Sequence, residues 1–417
     1  MHGAGARSAP NDPDTLTMTI NILDPAQYAA VRRPFLEAET LPAWCYTSQA
    51  FYEREVERIF LKVWIFVGRS DEIPNPGDYF TVSLAGGPVV VIRGQDGTAR
   101  AFANTCRHRG SRLLEGKGNC RAIVCPYHGW TYGLDGRLAG ASHMDQTVAF
   151  DRARYGLSAL RLESWAGFLF VTFDPEAESL MAYLGDMPEQ FESYNFGDMA
   201  VTRRTEYTLA CNWKLYAENT VEDYHTAYVH RGSIGNQECV LEETRGNWDA
   251  VFMESDATVA VLPGESTPLP HVATLRGRPA HGTYFTLIYP NTTFGSTQDC
   301  MWWLTVNPER PDRSRLSIGT CFPRSTVALP RFAAAVERYY HRWDTSIPED
   351  NWIGEAQQAG LRSVLRGTGP LSWKEPMVHR IANWVLDRVL DSPPTHLGSR
   401  GDATAGRPRS RTLAVTE

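Results

Sequence analysis

The spacing of apolar residues changes character twice along the chain. From Phe51 to Trp64, the apolar positions Phe51, Val56, Ile59, Phe60, Val63 and Trp64 recur at helical spacing, which predicts a helix. From Ile65 to about Asp174 the pattern shortens to β-like runs, "DYFTVSL", "PVVVIRG", "RAFANTC", "AIVCPYH" and "FLFVTFD". Turn signals fall between them at Gly86-Gly87, Asp96-Gly97 and Asp135-Gly136. Beyond Asp174, strands such as "GTYFTLIYP", "MWWLTVNP" and "RLSIGTCF" mix with predicted helices at "RFAAAVERYYHRW", "PEDNWIGEAQQAGLRSVL" and "EPMVHRIANWVLDRVL". This divides the chain into a helical segment over 21–62, an all-β module over 63–174 and a module of mixed helices and strands over 175–391. Residues 1–20 and 392–417 are polar, proline-bearing and aperiodic, and are expected to be disordered.

The bulk numbers narrow the class. A length of 417 residues allows two domains, and 42% hydrophobic with 21% charged residues is ordinary for a globular protein. No apolar run approaches the ~18–20 residues that span a bilayer. A net charge of −7 argues against nucleic acid or an anionic membrane as partner. Eight cysteines in a chain this long are too few for a disulfide framework. With no charged-then-apolar leader, the expected compartment is the cytoplasm.

Two of those cysteines fall in the clusters "CRHRG" and "CPYHGWTY", which place Cys106 and His108, then Cys125 and His128, with sixteen residues between. One zinc ion could take all four. A [2Fe–2S] cluster of the Rieske type, with the cysteines on one iron and the histidines on the other, fits the pairing of one cysteine and one histidine per loop better. Cys120 lies outside the pattern and reads as a packed thiol. Arg107, Arg109, Arg112, Lys117 and Arg121 surround the loops against one acid, Glu115, an excess suited to docking an acidic electron carrier.

A second metal site is indicated by "NWKLYAENTVEDYHTAYVH". Glu218, Glu222 and His225 stand at i, i+4 and i+7, one face of a continuous helix. His230 follows five residues later, which an ideal helix would turn about 140° away. Bringing both imidazoles to one ion therefore needs a widened turn or a helix end. Two histidines and one carboxylate with open positions form the facial triad of non-haem Fe(II) oxygenases. The carboxylate stays open on spacing alone: Glu218, Glu222 and Asp223 are local, whereas Asp350 lies in "SIPEDNWIGE", where Ser346 and Glu349 resemble a capping box that would put Asp350 in a helix's first turn.

Together these motifs resemble the catalytic α subunit of Rieske non-haem iron oxygenases, the aromatic-ring-hydroxylating group and its demethylating relatives, over roughly residues 40–390. The resemblance implies an α+β chain: an all-β Rieske [2Fe–2S] domain and a helix-grip catalytic domain with a central antiparallel sheet. It implies cluster ligands Cys106, His108, Cys125 and His128, iron ligands His225, His230 and Asp350, and Asn219 near the iron. A family carboxylate three residues before the first iron histidine links the iron to a cluster histidine of the neighbouring subunit. That register is Glu222 here, with Asp223 the second choice, where many ring hydroxylases carry aspartate. Glutamate at that position resembles the branch that oxidises quaternary ammonium compounds. The implied activity is a terminal oxygenase, using O2 and NAD(P)H electrons delivered by a reductase, directly or through a ferredoxin. The expected substrate is an aromatic ring, with oxidation of a carnitine- or betaine-like compound as the alternative and pure Rieske electron transfer as a third reading. A homotrimer is implied, with a β subunit in some members. Trp248, Phe252, Phe285, Tyr289, Phe294, Trp302 and Trp303 are the candidate pocket walls, about half of them expected to be plain core.

Overall fold

The computed structural model describes residues 21–265 and 269–391. The two terminal segments expected to be disordered lie outside these residues. Among the described residues no helix is long and apolar enough to cross a membrane.

Seven antiparallel strands form the first sheet, in the spatial order Ile65–Arg69, Phe168–Thr172, Ala159–Trp165, Ala99–Ala103, Gly87–Arg93, Asp78–Leu84 and Lys117–Asn119. The turn residues behave as their chemistry requires, with Gly87, Gly97 and Gly136 all at positive φ. A smaller three-stranded sheet, Ile123–Val124, Thr131–Tyr132 and Leu138–Gly140, carries the second cysteine–histidine loop between its first two strands, while the first loop follows Ala99–Ala103 of the larger sheet. The run "AIVCPYH" is thus a strand only at its first apolar pair, because Pro126 cannot donate to a ladder.

The second sheet is also seven-stranded and antiparallel: Met199–Leu209, Arg313–Pro323, Met301–Arg310, Thr292–Ser296, Gly282–Ile288, Trp248–Glu254 and Val240–Leu241. Its register sorts the aromatic residues. Val251, Phe285, Gly295, Trp302 and Thr320 are directly opposed and share one face, while Ala250, Thr286, Phe294, Trp303 and Gly319 share the other. On that second face Phe294 and Trp303 pack on Phe66 at 6.0 and 5.4 Å, so the two modules share one core. The first face is covered by the helix Phe332–Leu361, whose Trp343 meets Trp302 at 5.4 Å.

That helix corrects two expectations. It is a single 30-residue element through Pro348, so Ser346 and Asp350 stand mid-helix and there is no capping box at this point. Proline there removes one backbone donor, yet the buried stripe Tyr339, Trp343, Ile347 and Gly354 continues on both sides of it, and packing overrides the local break. Likewise "NWKLYAENTVEDYH" is not one helix. The element Trp213–Asn219 stops at Asn219, so Glu218, Glu222 and His225 do not share a helical face.

The N-terminal segment folds as Trp44–Thr47 and Gln49–Glu55, followed by a wide π turn at Val56–Phe60. It locks onto the helix Trp213–Asn219 from behind. Lys214 donates to Glu55 at 2.6 Å with both side chains wholly buried, and Trp213 Nε1 donates to the same carboxylate at 3.2 Å. A buried pair of this kind, once formed, tolerates loss of neither partner.

Candidate metal centres

The two cysteine–histidine loops are built alike. In each, the cysteine N–H donates to the carbonyl five residues on (Cys106 to Ser111, Cys125 to Trp130, both 2.8 Å), and the glycine four residues on donates back at 3.0 Å (Gly110, Gly129). Closing such a loop needs a left-handed residue, and Gly110 and Gly129 supply φ of 75° and 69°. Cys106 and Cys125 are buried, while His108 and His128 are exposed with ring centroids 4.8 Å apart. His108 stacks on Trp130 and His128 on Tyr127, which fixes both rings. Tyr132 Oη lies 3.3 Å from Cys106 Sγ. Burial pushes the Cys125 thiol up, but the backbone N–H groups of Tyr127 and His128, with Cys106 and Ser111, outweigh it and favour the thiolate. Cys120 packs at the edge of this small core. Arg107, Arg109, Arg112, Lys117 and Arg121 are all exposed around the loops, with Arg112 paired to Glu115 at 3.4 Å.

At the second centre, His225, His230 and Asp350 present ligand atoms within 4.8 Å of one another. The five-residue spacing is resolved by a helix end: His225 and His230 flank the single turn Thr226–Val229. His230, at φ −100° and ψ 19°, has already left helical geometry, and its ring swings back to 5.1 Å from that of His225. Asp350 comes in from the Phe332–Leu361 helix, with Oδ1 3.0 Å from His230 Nε2 and 3.6 Å from His225 Nε2. That oxygen is buried and without an aligned hydrogen bond.

Each imidazole is held from behind. Glu222 Oε1 lies 2.6 Å from His225 Nδ1, and Glu349 Oε2 lies 2.7 Å from His230 Nδ1 and accepts from Ser233 Oγ at 2.6 Å. Carboxylates on Nδ1 fix the tautomer that points Nε2 at a metal. Burial opposes a positive charge on His230, but Asp350 and Glu349 prevail and hold its pKa above the ordinary histidine value. Three carboxylates around two imidazoles call for a cation, and the two Nε2 atoms with the orphaned Asp350 oxygen fit one divalent ion.

Some expected residues lie elsewhere. Glu218, a candidate ligand on spacing, is turned away and accepts from Tyr46 Oη at 2.9 Å. Asp223, the second choice for the bridge, is buried with Lys374 at 3.1 Å and the Cys239 N–H at 2.7 Å. Asn219 ends the Trp213–Asn219 helix next to Thr220, whose hydroxyl meets that of Thr293 at 2.8 Å on the site-facing side of the sheet. Of the aromatic residues, Trp302 and Phe285 line that side. Trp248, Phe252, Phe294 and Trp303 pack on the opposite face, and Tyr289 bonds Asp249 and stacks on Trp384. Glu349 was missed as a histidine partner; its signal was adjacency to Asp350, hidden by its resemblance to a capping residue.

Residues 63–156 match the family model of the Rieske [2Fe–2S] domain, and residues 196–391 match that of the ring-hydroxylating alpha subunit catalytic domain. The glycine betaine monooxygenase oxygenase subunit of Chromohalobacter salexigens is 38% identical over 397 residues, covering 86% of this chain and 88% of that protein. The chain belongs to the Rieske non-haem iron oxygenases. Within this Rieske oxygenase family it is also similar to the chloroplastic choline monooxygenase of Beta vulgaris, 35% identical over 54% of this chain, but the match spans only half of that protein's length. A solved quaternary ammonium Rieske monooxygenase, described for carnitine oxidation and inter-subunit electron transfer, superposes with a TM-score of 0.73 at 28% identity, covering 86% and 96% of the two chains. The chemistry of the two donor sets agrees with a Rieske oxygenase: thiolates and imidazoles for a [2Fe–2S] cluster, imidazoles and a carboxylate for ferrous iron.

Proposed function

We propose that this chain is the terminal oxygenase component that oxidises a quaternary ammonium compound, by hydroxylation or oxidative demethylation, rather than an aromatic ring. The supporting observation is the 38% identity to a glycine betaine monooxygenase subunit across 86% of the chain. Cys106, His108, Cys125 and His128 would hold the cluster, and His225, His230 and Asp350 the ferrous ion. When bound, these groups supply one-electron relay and O2 chemistry. The protein's part is placement. The exposed arginines beside the cluster loops would guide a reductase that, directly or through a ferredoxin, delivers electrons from NAD(P)H. Glu222 holds His225 in its tautomer and would be the carboxylate that meets a cluster histidine of the next subunit in a homotrimer, a reading its partly exposed side chain supports. The internal tie of Asp223 to Lys374 favours Glu222 over it for that role.

Reconstituted protein with a surrogate reductase, NADH and O2 is expected to consume oxygen and form product with glycine betaine, γ-butyrobetaine or choline. Coupled oxidation of naphthalene with none of the ammonium compounds turned over would reverse the assignment.

A further inference from the structure

Arg342 is the anomaly of the catalytic domain. It lies on the site-facing side of the Phe332–Leu361 helix and is 4% exposed. Its guanidinium covers the ring of Trp302 at 5.0 Å, and its buried Nε has no hydrogen-bond partner. Among the described residues no carboxylate stands within ion-pairing distance of it. Burial lowers its pKa to about 10 against the opposing field of Asp350, still far above neutrality, so the charge is present. Stacking on one indole offsets a fraction of the cost of burying a cation. The other buried arginine among the described residues shows what a structural role looks like: Arg69, 1% exposed, reaches Asp71 at 2.9 Å and the carbonyls of Phe196 and Met199.

Position gives this charge its meaning. Arg342, Ser346 and Asp350 follow at i, i+4 and i+8, one stripe of the same helix. Arg342 is thus roughly 12 Å along the axis from the iron-site carboxylate, on the side that faces Trp302 and Phe285. Thr283 Oγ1, on the same sheet face as Phe285, is likewise buried without a partner.

We propose that Arg342 is the receptor for a carboxylate carried by the substrate, so that the oxidised end reaches the iron while the anionic end pairs with the guanidinium over Trp302. This rests on the quaternary ammonium reading and narrows it: betaine-type zwitterions are accepted, and choline, which lacks the carboxylate, is disfavoured.

Calorimetric titration of the iron-loaded full chain with glycine betaine, γ-butyrobetaine, choline and benzoate tests this. Wild type is expected to bind at least one carboxylated ammonium compound more tightly than choline, and Arg342→Met to weaken that compound about 10–100-fold while changing choline by less than about twofold. Arg342→Lys, which keeps the charge but loses the planar fork, falls between. Without ligand, Arg342→Met is expected to melt at or above the wild-type temperature, since a buried charge with no ion-pair partner is gone; a structural arginine would show the opposite. Choline binding as tightly as the zwitterions to wild type, or zwitterion binding unchanged in Arg342→Met, overturns the anion site and leaves the ammonium reading intact. Arg342-dependent binding of benzoate with neither zwitterion bound keeps the anion site and removes the ammonium reading. Binding of no carboxylate at all overturns the anion site.

Discussion

Glu349 and Glu222 do parallel work, one behind each histidine of the proposed iron site, and they differ in what else they touch. Glu349 bonds His230 and Ser233, whereas Glu222 bonds His225 and also accepts from the backbone N–H groups of Tyr224 and His225. Glu349→Gln is expected to weaken ferrous binding 10–100-fold in a chelator competition, and unchanged affinity would remove its role as orienter. Glu222→Gln, loaded with both metals at saturating iron, should lose coupled turnover. Normal product yield from that variant in a single turnover would refute the bridge. Glu218 shows a different use of a carboxylate. Burial raises its pKa to about 8 against the Tyr46 hydroxyl and the Lys214 charge, with Glu375 and Glu55 adding to the rise. A folded pKa above the unfolded one means the native state holds the proton longer, so its stabilising effect is complete below pH 4.5 and lost as pH climbs towards 8. Glu218→Gln should therefore flatten a slope of up to about 1.4 kcal/mol per pH unit in denaturation experiments across that window.

At the scale of elements, two glycines in the catalytic sheet make room for tryptophan on opposite faces. A Cβ on Gly295 would stand 2.2 Å from the Trp302 ring, and one on Gly319 would stand 1.9 Å from that of Trp303. Both alanine variants are expected to lose about 1–3 kcal/mol of stability by chemical denaturation. Only Gly295→Ala should also change ligand affinity, because Trp302 faces the site and Trp303 faces the β-module. The strands carrying these residues were legible in the sequence, and so were both histidine clusters, because β-like runs and metal spacings are local signals. What was not legible depended on contacts from far along the chain. Two faces of one strand read equally aromatic in "MWWLTVNP", and only register separates Trp302 from Trp303. The helix Trp213–Asn219 ends where Glu222 is needed by His225, and Pro348 looks like a boundary until the packed stripe on both sides of it is seen. Arg342 carried no motif at all.

For the whole molecule, the polarity of the cluster loops matters most. Cysteines are buried and histidines exposed, so the cluster's outward edge is available to another chain, and the basic residues beside it set the salt dependence of that meeting. Reduction by the partner protein is expected to slow as ionic strength rises from 0.01 to about 0.15 M, and a rate indifferent to salt would show that the arginines do not steer docking. The long helix has a consequence of another kind. Arg342 and Asp350 ride on one rigid rod, so the gap between the anion's seat and the reacting atom is a fixed length that no loop can adjust. Lengthening the spacer of a zwitterion by one methylene therefore slides a different carbon under attack, and the position oxidised becomes a property of backbone pitch.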